Sequence, residues 1–314
     1  MRAAQVVTVG RRPLLTDVAE PVAGPGTTLV RIRAAALGHL DRTVAAGELP
    51  GAQLPPYVPC GDGSGIVLDS AVHPRGTLVW LRGAGLGVTR DGLAAEVAAV
   101  PDEAVHRAPP GADPLLAAVF FSPATSAWTA LTAVGQLRPG ERVAVTGAAG
   151  AVGSLAVQLA LEGGAGAVVA AVSRPERAAA VPAGADVVVG DLDDEVKPAD
   201  LLVDTVGGPG LPARLRAVVP GGRAVLVGYT AGTTVGLDLP ALMRHDVALL
   251  PLNMLRRAPE AYAQADRLLT RLSAGELRLP VAAYPLSDVD HAWQDLATGR
   301  VLGRVALLPE EGSR

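Results

Sequence analysis

A mostly-β domain followed by a doubly wound α/β domain is the fold class that the sequence predicts, and three observations predict it. Up to about Pro109 the chain alternates short apolar runs with glycine-rich turns. From about Ser122, continuous apolar runs alternate with helical segments, as the strands of a parallel sheet buried on both faces do. Among these segments, Thr146-Gly147-Ala148-Ala149-Gly150-Ala151-Val152-Gly153 sets three glycines at a strand-to-helix turn. The 314 residues are too many for one small core and suit two domains of ~100–200 residues each.

The elements follow in order. Residues 29–34 alternate apolar and polar at period two, as a half-buried strand does. Gly61-Asp62-Gly63-Ser64-Gly65 reads as a turn entering a strand at 66–68, and 77–80 is a further strand. In the second part, strands are expected at 142–146, 167–172, 186–189, 200–204 and 223–227, with a helix over 152–161. Residues 247–252 read as an edge strand, where Pro251 is tolerated. After Asn253 come a helix over 259–273, a strand over 279–284, a short helix around His291 and a strand over 304–308. That last strand is expected to return to the first domain. The expected division is 1–121 with 255–314, and 122–254.

Composition narrows the function. Hydrophobic residues at 49% against 18% charged leave no case for disorder. Net charge is −4 without any run of Lys and Arg, which argues against a nucleic-acid partner. Cys60 is the single cysteine, so no internal disulfide forms and a reducing compartment fits. The apolar start at Met1 is too short for a signal peptide, and other apolar runs break before the ~18 residues of a membrane span. The expectation is a cytoplasmic protein with a small-molecule substrate, no nucleic acid and no membrane.

The glycine turn carries the chemistry. Small residues let the backbone approach a pyrophosphate, and the helix start at Gly150, Ala151 and Val152 offers unpaired N–H groups and a positive dipole end. About twenty residues further on, where an NAD site carries an acidic residue, the chain reads Ser173-Arg174-Pro175-Glu176-Arg177. A hydroxyl and two guanidinium groups suit a 2′-phosphate, so NADPH is expected over NADH, through Ser173, Arg174 and Arg177. The plainer alternative is two solvated arginines at a helix start.

Together these segments resemble the zinc-independent quinone oxidoreductase and enoyl reductase-like branch of the medium-chain dehydrogenase/reductase superfamily. The stretches that carry the likeness are Leu37-Gly38-His39-Leu40-Asp41, Gly61 to Val67, Thr125-Ser126-Ala127-Trp128-Thr129, the glycine fingerprint, Val203-Asp204-Thr205-Val206-Gly207-Gly208, Gly221-Gly222-Arg223 and Gly303-Arg304-Val305. The resemblance implies a GroES-like catalytic domain split across both termini, a Rossmann domain between, a hydride-transfer site in a cleft and a homodimer. Zinc-dependent relatives place a cysteine where Gly38 stands and a His-Glu pair where Gly61-Asp62 stands. With one cysteine and five scattered histidines, no metal site is expected. The branch often has Asn-Pro at Gly38-His39 and a tyrosine at Thr43, and a tyrosine near the adenosine phosphate at Asp191. Between Asp191 and Asp200 no room is left for the usual helix.

Candidate site residues follow. His39 reads as a phosphate contact or proton donor, against an ordinary surface histidine. Tyr57 reads as a proton donor, against cleft lining or packing. Asp41 reads as a helix cap, Cys60 as a packed thiol. Ser126, Val206, Gly228, Tyr229 and Asn253 are cofactor-contact candidates, the last three because ligands bind at the carboxyl edge of such sheets. Asp204 reads as a loop-holding residue. The function expected is an NADPH-dependent, metal-free reductase delivering hydride to an α,β-unsaturated carbonyl or a quinone. A lyase, cyclase or isomerase on the same fold, and a nucleotide-binding protein without turnover, are the alternatives.

Overall fold

The structure is a computed structural model that describes residues 1–192 and 197–310. The chain divides into two compact units, one of Met1–Phe121, Leu269–Glu276 and Pro280–Arg314, the other of Ser122–Leu268 and Leu277–Leu279. The return to the first unit was expected at residue 255. Instead, most of the helix that follows Asn253 is grouped with the second unit.

The first unit begins with β1 (Arg2–Gln5), β2 (Leu14–Asp17), β3 (Thr27–Leu37), α1 (His39–Ala45), β4 (Asp62–Asp69), β5 (Leu78–Arg82), β6 (Val97–Pro101), β7 (Val105–Arg107) and α2 (Pro114–Val119). The Asp113 carboxylate caps α2 by accepting from Leu116 N–H at 2.9 Å, with Pro114 in the first turn. The glycine run at 61–65 corrects the sequence reading: four of its five residues lie inside β4 rather than in a turn. The reason is close approach, since a Cβ on Gly65 would stand 2.4 Å from the Arg31 carbonyl oxygen of the neighbouring strand.

The second unit runs α3 (Phe121–Thr129), β8 (Arg142–Thr146), α4 (Ala151–Glu162), β9 (Ala167–Val172), β10 (Asp186–Val189), β11 (Ala199–Asp204), α5 (Leu211–Arg216), β12 (Val218–Leu226), α6 (Leu239–His245) and β13 (Ala248–Pro251). Its strands are parallel in the order β10-β9-β8-β11-β12-β13. Val143, Val145, Val168, Ala170, Leu201, Val203 and Val225 are fully buried along these strands, which is why they read as unbroken apolar runs. The segment after β9 is a 3-10 turn over Pro175–Ala180, not an α-helix start. The expected lack of a helix between Asp191 and Asp200 falls partly on residues 193–196, outside the described residues.

The chain ends with α7 (Ala258–Ser273), β14 (Val281–Pro285), α8 (Val289–Ala297) and β15 (Arg304–Leu308). Ala261, Ala265, Leu268, Leu269 and Leu272 form the buried stripe of α7 at helical spacing. β15 pairs antiparallel with β3, completing the seven-stranded sheet β14-β15-β3-β4-β5-β7, with β6 also on β3.

Candidate active site

In the second unit, chain order runs outward from β8 to β9 and β10, then reverses to β11, β12 and β13. The reversal between β8 and β11 opens a crevice at their carboxyl ends, the place where such sheets bind ligands. The glycine turn lies there. Ala148 N–H donates to the Ala171 carbonyl at 3.0 Å and Gly150 N–H to the Gly147 carbonyl at 2.8 Å. Helix α4 starts at Ala151, and its first carbonyl-paired amide is Ser154, bonded to the Gly150 carbonyl at 2.9 Å. The amides of Ala151, Val152 and Gly153 therefore lie ahead of the helical ladder. A Cβ on Gly153 would come 2.2 Å from the Gly147 oxygen, so the tightness of this turn requires glycine. The arrangement fits a pyrophosphate: close backbone, a helix N-terminus and no side chain in the way.

Ser173 and Arg174 are exposed just past β9, and Arg177 is half-buried. Burial, and then the positive charge of Arg174, lower the Arg177 pKa. Two guanidinium groups thus lie near each other at this corner. Asp191 follows β10 beside this corner, since Gly190 N–H donates to the Val172 carbonyl at 2.8 Å. Its carboxylate faces Arg214 Nε at 3.4 Å.

Val206 and Gly228 are half-buried on adjoining loops, with Ala231 N–H bonded to the Val206 carbonyl at 2.9 Å. Tyr229 is 67% exposed beyond β12. Asn253 is exposed after β13, and its Oδ1 accepts from Leu255 and Arg256 N–H at 3.1 and 3.0 Å, so that oxygen is engaged in a local turn. Ser126 is buried on α3. The carboxyl edge of one sheet thus gathers the fingerprint, the Ser173–Arg177 corner, Val206, Gly228, Tyr229 and Asn253.

The first unit holds the other candidates. His39 lies at the start of α1; desolvation, then the charges of Arg42 and Arg304, lower its pKa. Tyr57 is 1% exposed among Val6, Val44 and Ala45, and its hydroxyl has no hydrogen-bond partner among the described residues. Burial pushes that phenol up to about 12. Asp41 caps α1 from within its first turn, reaching back to the residue before the helix. Its two oxygens accept from Gly38 and Cys60 N–H, each at 2.8 Å. Desolvation raises its pKa to about 6 despite those donors. Cys60 is buried and its thiol is pushed up by the same cause, consistent with a packed thiol.

Sequence reasoning missed the arginines around these groups. Asp62 binds Arg82, and its other oxygen stands 3.9 Å from Arg304 Nη2. Arg304 Nη1 would be 3.3 Å from a Cβ on Gly38. Only the Gly303-Arg304-Val305 stretch hinted at this in the sequence.

The same neighbourhood tests a zinc site. Gly38 and Gly61 offer no ligand atom, and a Cβ on Gly61 would stand 2.7 Å from the Leu86 carbonyl oxygen. Asp62 is taken by arginines. No group of three His, Cys, Asp or Glu that could hold a metal occurs among the described residues. These residues do not fit a catalytic zinc. No helix among the described residues is long and apolar enough to cross a membrane.

A mostly antiparallel β unit split across both ends of the chain and a parallel unit with a glycine turn at its switch point are the parts of a dinucleotide-binding architecture. Comparison with known proteins agrees. Residues 183–307 match the family model described as zinc-binding dehydrogenase. The chain is 30% identical over 306 residues to one component of the phenolphthiocerol/phthiocerol polyketide synthase of Mycobacterium tuberculosis, covering 90% of this chain but only 14% of that protein's length. It is 24% identical to human quinone oxidoreductase, over 98% of each chain. The solved quinone oxidoreductase of Pseudomonas syringae pv. tomato superposes with a TM-score of 0.84 at 26% identity, covering 98% of this chain and 99% of that one. Together these likenesses support the medium-chain dehydrogenase/reductase superfamily.

Proposed function

We propose that this protein is an NADPH-dependent, zinc-independent reductase of α,β-unsaturated carbonyl compounds or quinones. The observation that carries the reading is the strand–glycine turn–helix unit at Thr146 to Gly153, with Ser173, Arg174 and Arg177 at the next strand end. The backbone amides of Ala151 and Val152 would hold the pyrophosphate, and the two guanidinium groups the 2′-phosphate. When bound, the nicotinamide supplies a hydride to the β-carbon of the enone or to the quinone ring. Val206, Gly228 and Tyr229 line the side of the crevice beyond β11 and β12, where the protein would orient that ring. Burial and the charges of Arg42 and Arg304 disfavour the protonated form of His39, and the Tyr57 hydroxyl is enclosed by protein. The proton that completes enone reduction is therefore taken from water. Conjugate reduction suits a site without a metal, because charge spreads onto an oxygen that amides or water can satisfy. We further propose a cytoplasmic homodimer formed by edge pairing through β13, whose outer side carries no strand among the described residues.

Anaerobic mixing with NADPH and a panel of enones and quinones tests the reading. Cofactor oxidation with one of them is the expected outcome. Product formation without NADPH consumption would assign the chain to non-redox chemistry instead.

A further inference from the structure

The loop after β11 is held by a side chain that nothing in the reading above uses. A dinucleotide lying across the β8/β11 crevice puts its adenosine half over β9 and β10 and its nicotinamide half over β11 and β12. Thr205 to Gly208 then form the floor of the second half. That stretch is loose by composition: Gly207 and Gly208 have φ of +64° and +71°. Yet it is tied at Thr205 and at Gly207. Thr205 N–H donates to Thr146 Oγ1 at 3.0 Å, and the Thr205 hydroxyl donates to the Thr146 carbonyl at 2.7 Å. The Thr146 hydroxyl donates in turn to Asp204 Oδ1 at 2.6 Å, and Gly207 N–H donates to Asp204 Oδ2 at 2.9 Å. Arg214 of α5 closes the circuit: Nη1 donates to Asp204 Oδ1 at 2.8 Å while Nη2 donates to the Gly207 carbonyl.

Asp204 and Arg214 are 0% and 1% exposed, so this is an ion pair in the interior of the unit. A pair of this kind contributes little net stability compared with apolar residues of similar volume. What it supplies is geometry. A planar guanidinium meets a carboxylate and a carbonyl in one fixed plane, which an ammonium cannot do. Thr146 immediately precedes the glycine turn, so one network fixes both lips of the crevice relative to each other.

We infer that Arg214 is a positioning residue for the nicotinamide half of the bound dinucleotide, acting through Asp204, Gly207 and Thr146; this rests on the dinucleotide reading above. The test compares binding of NADPH with binding of 2′,5′-ADP, which carries only the adenosine-side groups, by calorimetry. The variants are Arg214→Lys, which keeps a positive charge for Asp204 and Asp191 without the fork, and Thr146→Val, which keeps the shape, breaks the network at its other end and leaves the Asp191 contact untouched. Unfolding temperature is followed for each. NADPH affinity is expected to fall about tenfold in either variant, as for a lost hydrogen bond to a charged group, while 2′,5′-ADP affinity stays within about twofold. Equal weakening of both ligands would overturn the inference, and so would unchanged NADPH affinity in a folded variant. If Arg214→Lys fails to fold, Thr146→Val decides alone. Failure of the parent protein to bind either ligand would instead remove the dinucleotide reading, and the inference with it.

Discussion

Asp204 and Asp41 are both carboxylates withdrawn from water, one in each unit, and the two units satisfy them differently. Asp204 has a guanidinium, a hydroxyl and a backbone amide. Asp41, 7% exposed, has two backbone amides among the described residues, with Arg304 acting through space, and its pKa rises to about 6. The difference separates two uses of a buried acid. A carboxylate with a forked cation braces the loop it touches. One held by amides alone ties the α1 turn to Cys60 and still takes up a proton at mildly acid pH.

The largest expected effect is on the brace. Arg214→Met leaves the Asp204 charge without its cation, and should cost about 3–5 kcal/mol in denaturant unfolding. A loss under about 1 kcal/mol would mean that the hydroxyl and amide suffice, and the contrast with Asp41 would collapse. The next effect is on the amide-held acid. Asp41→Asn turns one accepting oxygen into a donor facing Gly38 or Cys60 N–H, at a cost of about 1–3 kcal/mol.

The pH dependence sharpens the same contrast. The Asp41 pKa in the folded protein, about 6, lies above its ordinary value of 3.8. The folded state then binds the proton more tightly than the unfolded chain does, so its stabilising contribution is present at pH 4 and below. It is lost as pH rises through about 6. The stability gap between the parent and Asp41→Asn should accordingly narrow from pH 4 to pH 7. A gap that widens would reverse the assignment.

The smallest effect is expected at Tyr57. Its hydroxyl is buried without a partner among the described residues, so Tyr57→Phe removes a desolvated group and should change stability by less than about 1 kcal/mol. Turnover in that variant and in His39→Ala should fall by less than about tenfold, below the ~10²–10⁴ that a placed general acid contributes. A thousandfold loss in either, with cofactor affinity intact, would identify the acid.

How much of this was legible in the sequence follows from how local each signal is. The β8–turn–α4 unit was legible because the approach of Gly153 to Gly147 demands glycine within a short span. The run at 61–65 was misread because glycine also serves strands whose neighbours crowd in, and that crowding comes from β3, some thirty residues earlier. Arg214 was illegible. In Leu211-Pro212-Ala213-Arg214-Leu215-Arg216 it looks like any solvated arginine, and only the fold turns it inward beside Leu211 and Leu215. Asp204 could be read as a loop holder, but its partner could not be named. In the same way, the pairing of Arg304 with Asp62 joins the two ends of the chain, and no window along the sequence contains it.

The site that the whole account depends on is the Ser173–Arg177 corner beside the glycine turn. Calorimetric titration of the parent protein and of Arg174→Ala with NADPH and with NADH tests it most directly. The parent is expected to bind NADPH more tightly, and Arg174→Ala to lose about tenfold or more for NADPH, as for a charge-assisted hydrogen bond, with NADH nearly unaffected. Equal affinity of the parent for the two dinucleotides, or a matching loss for both in the variant, would contradict the assignment.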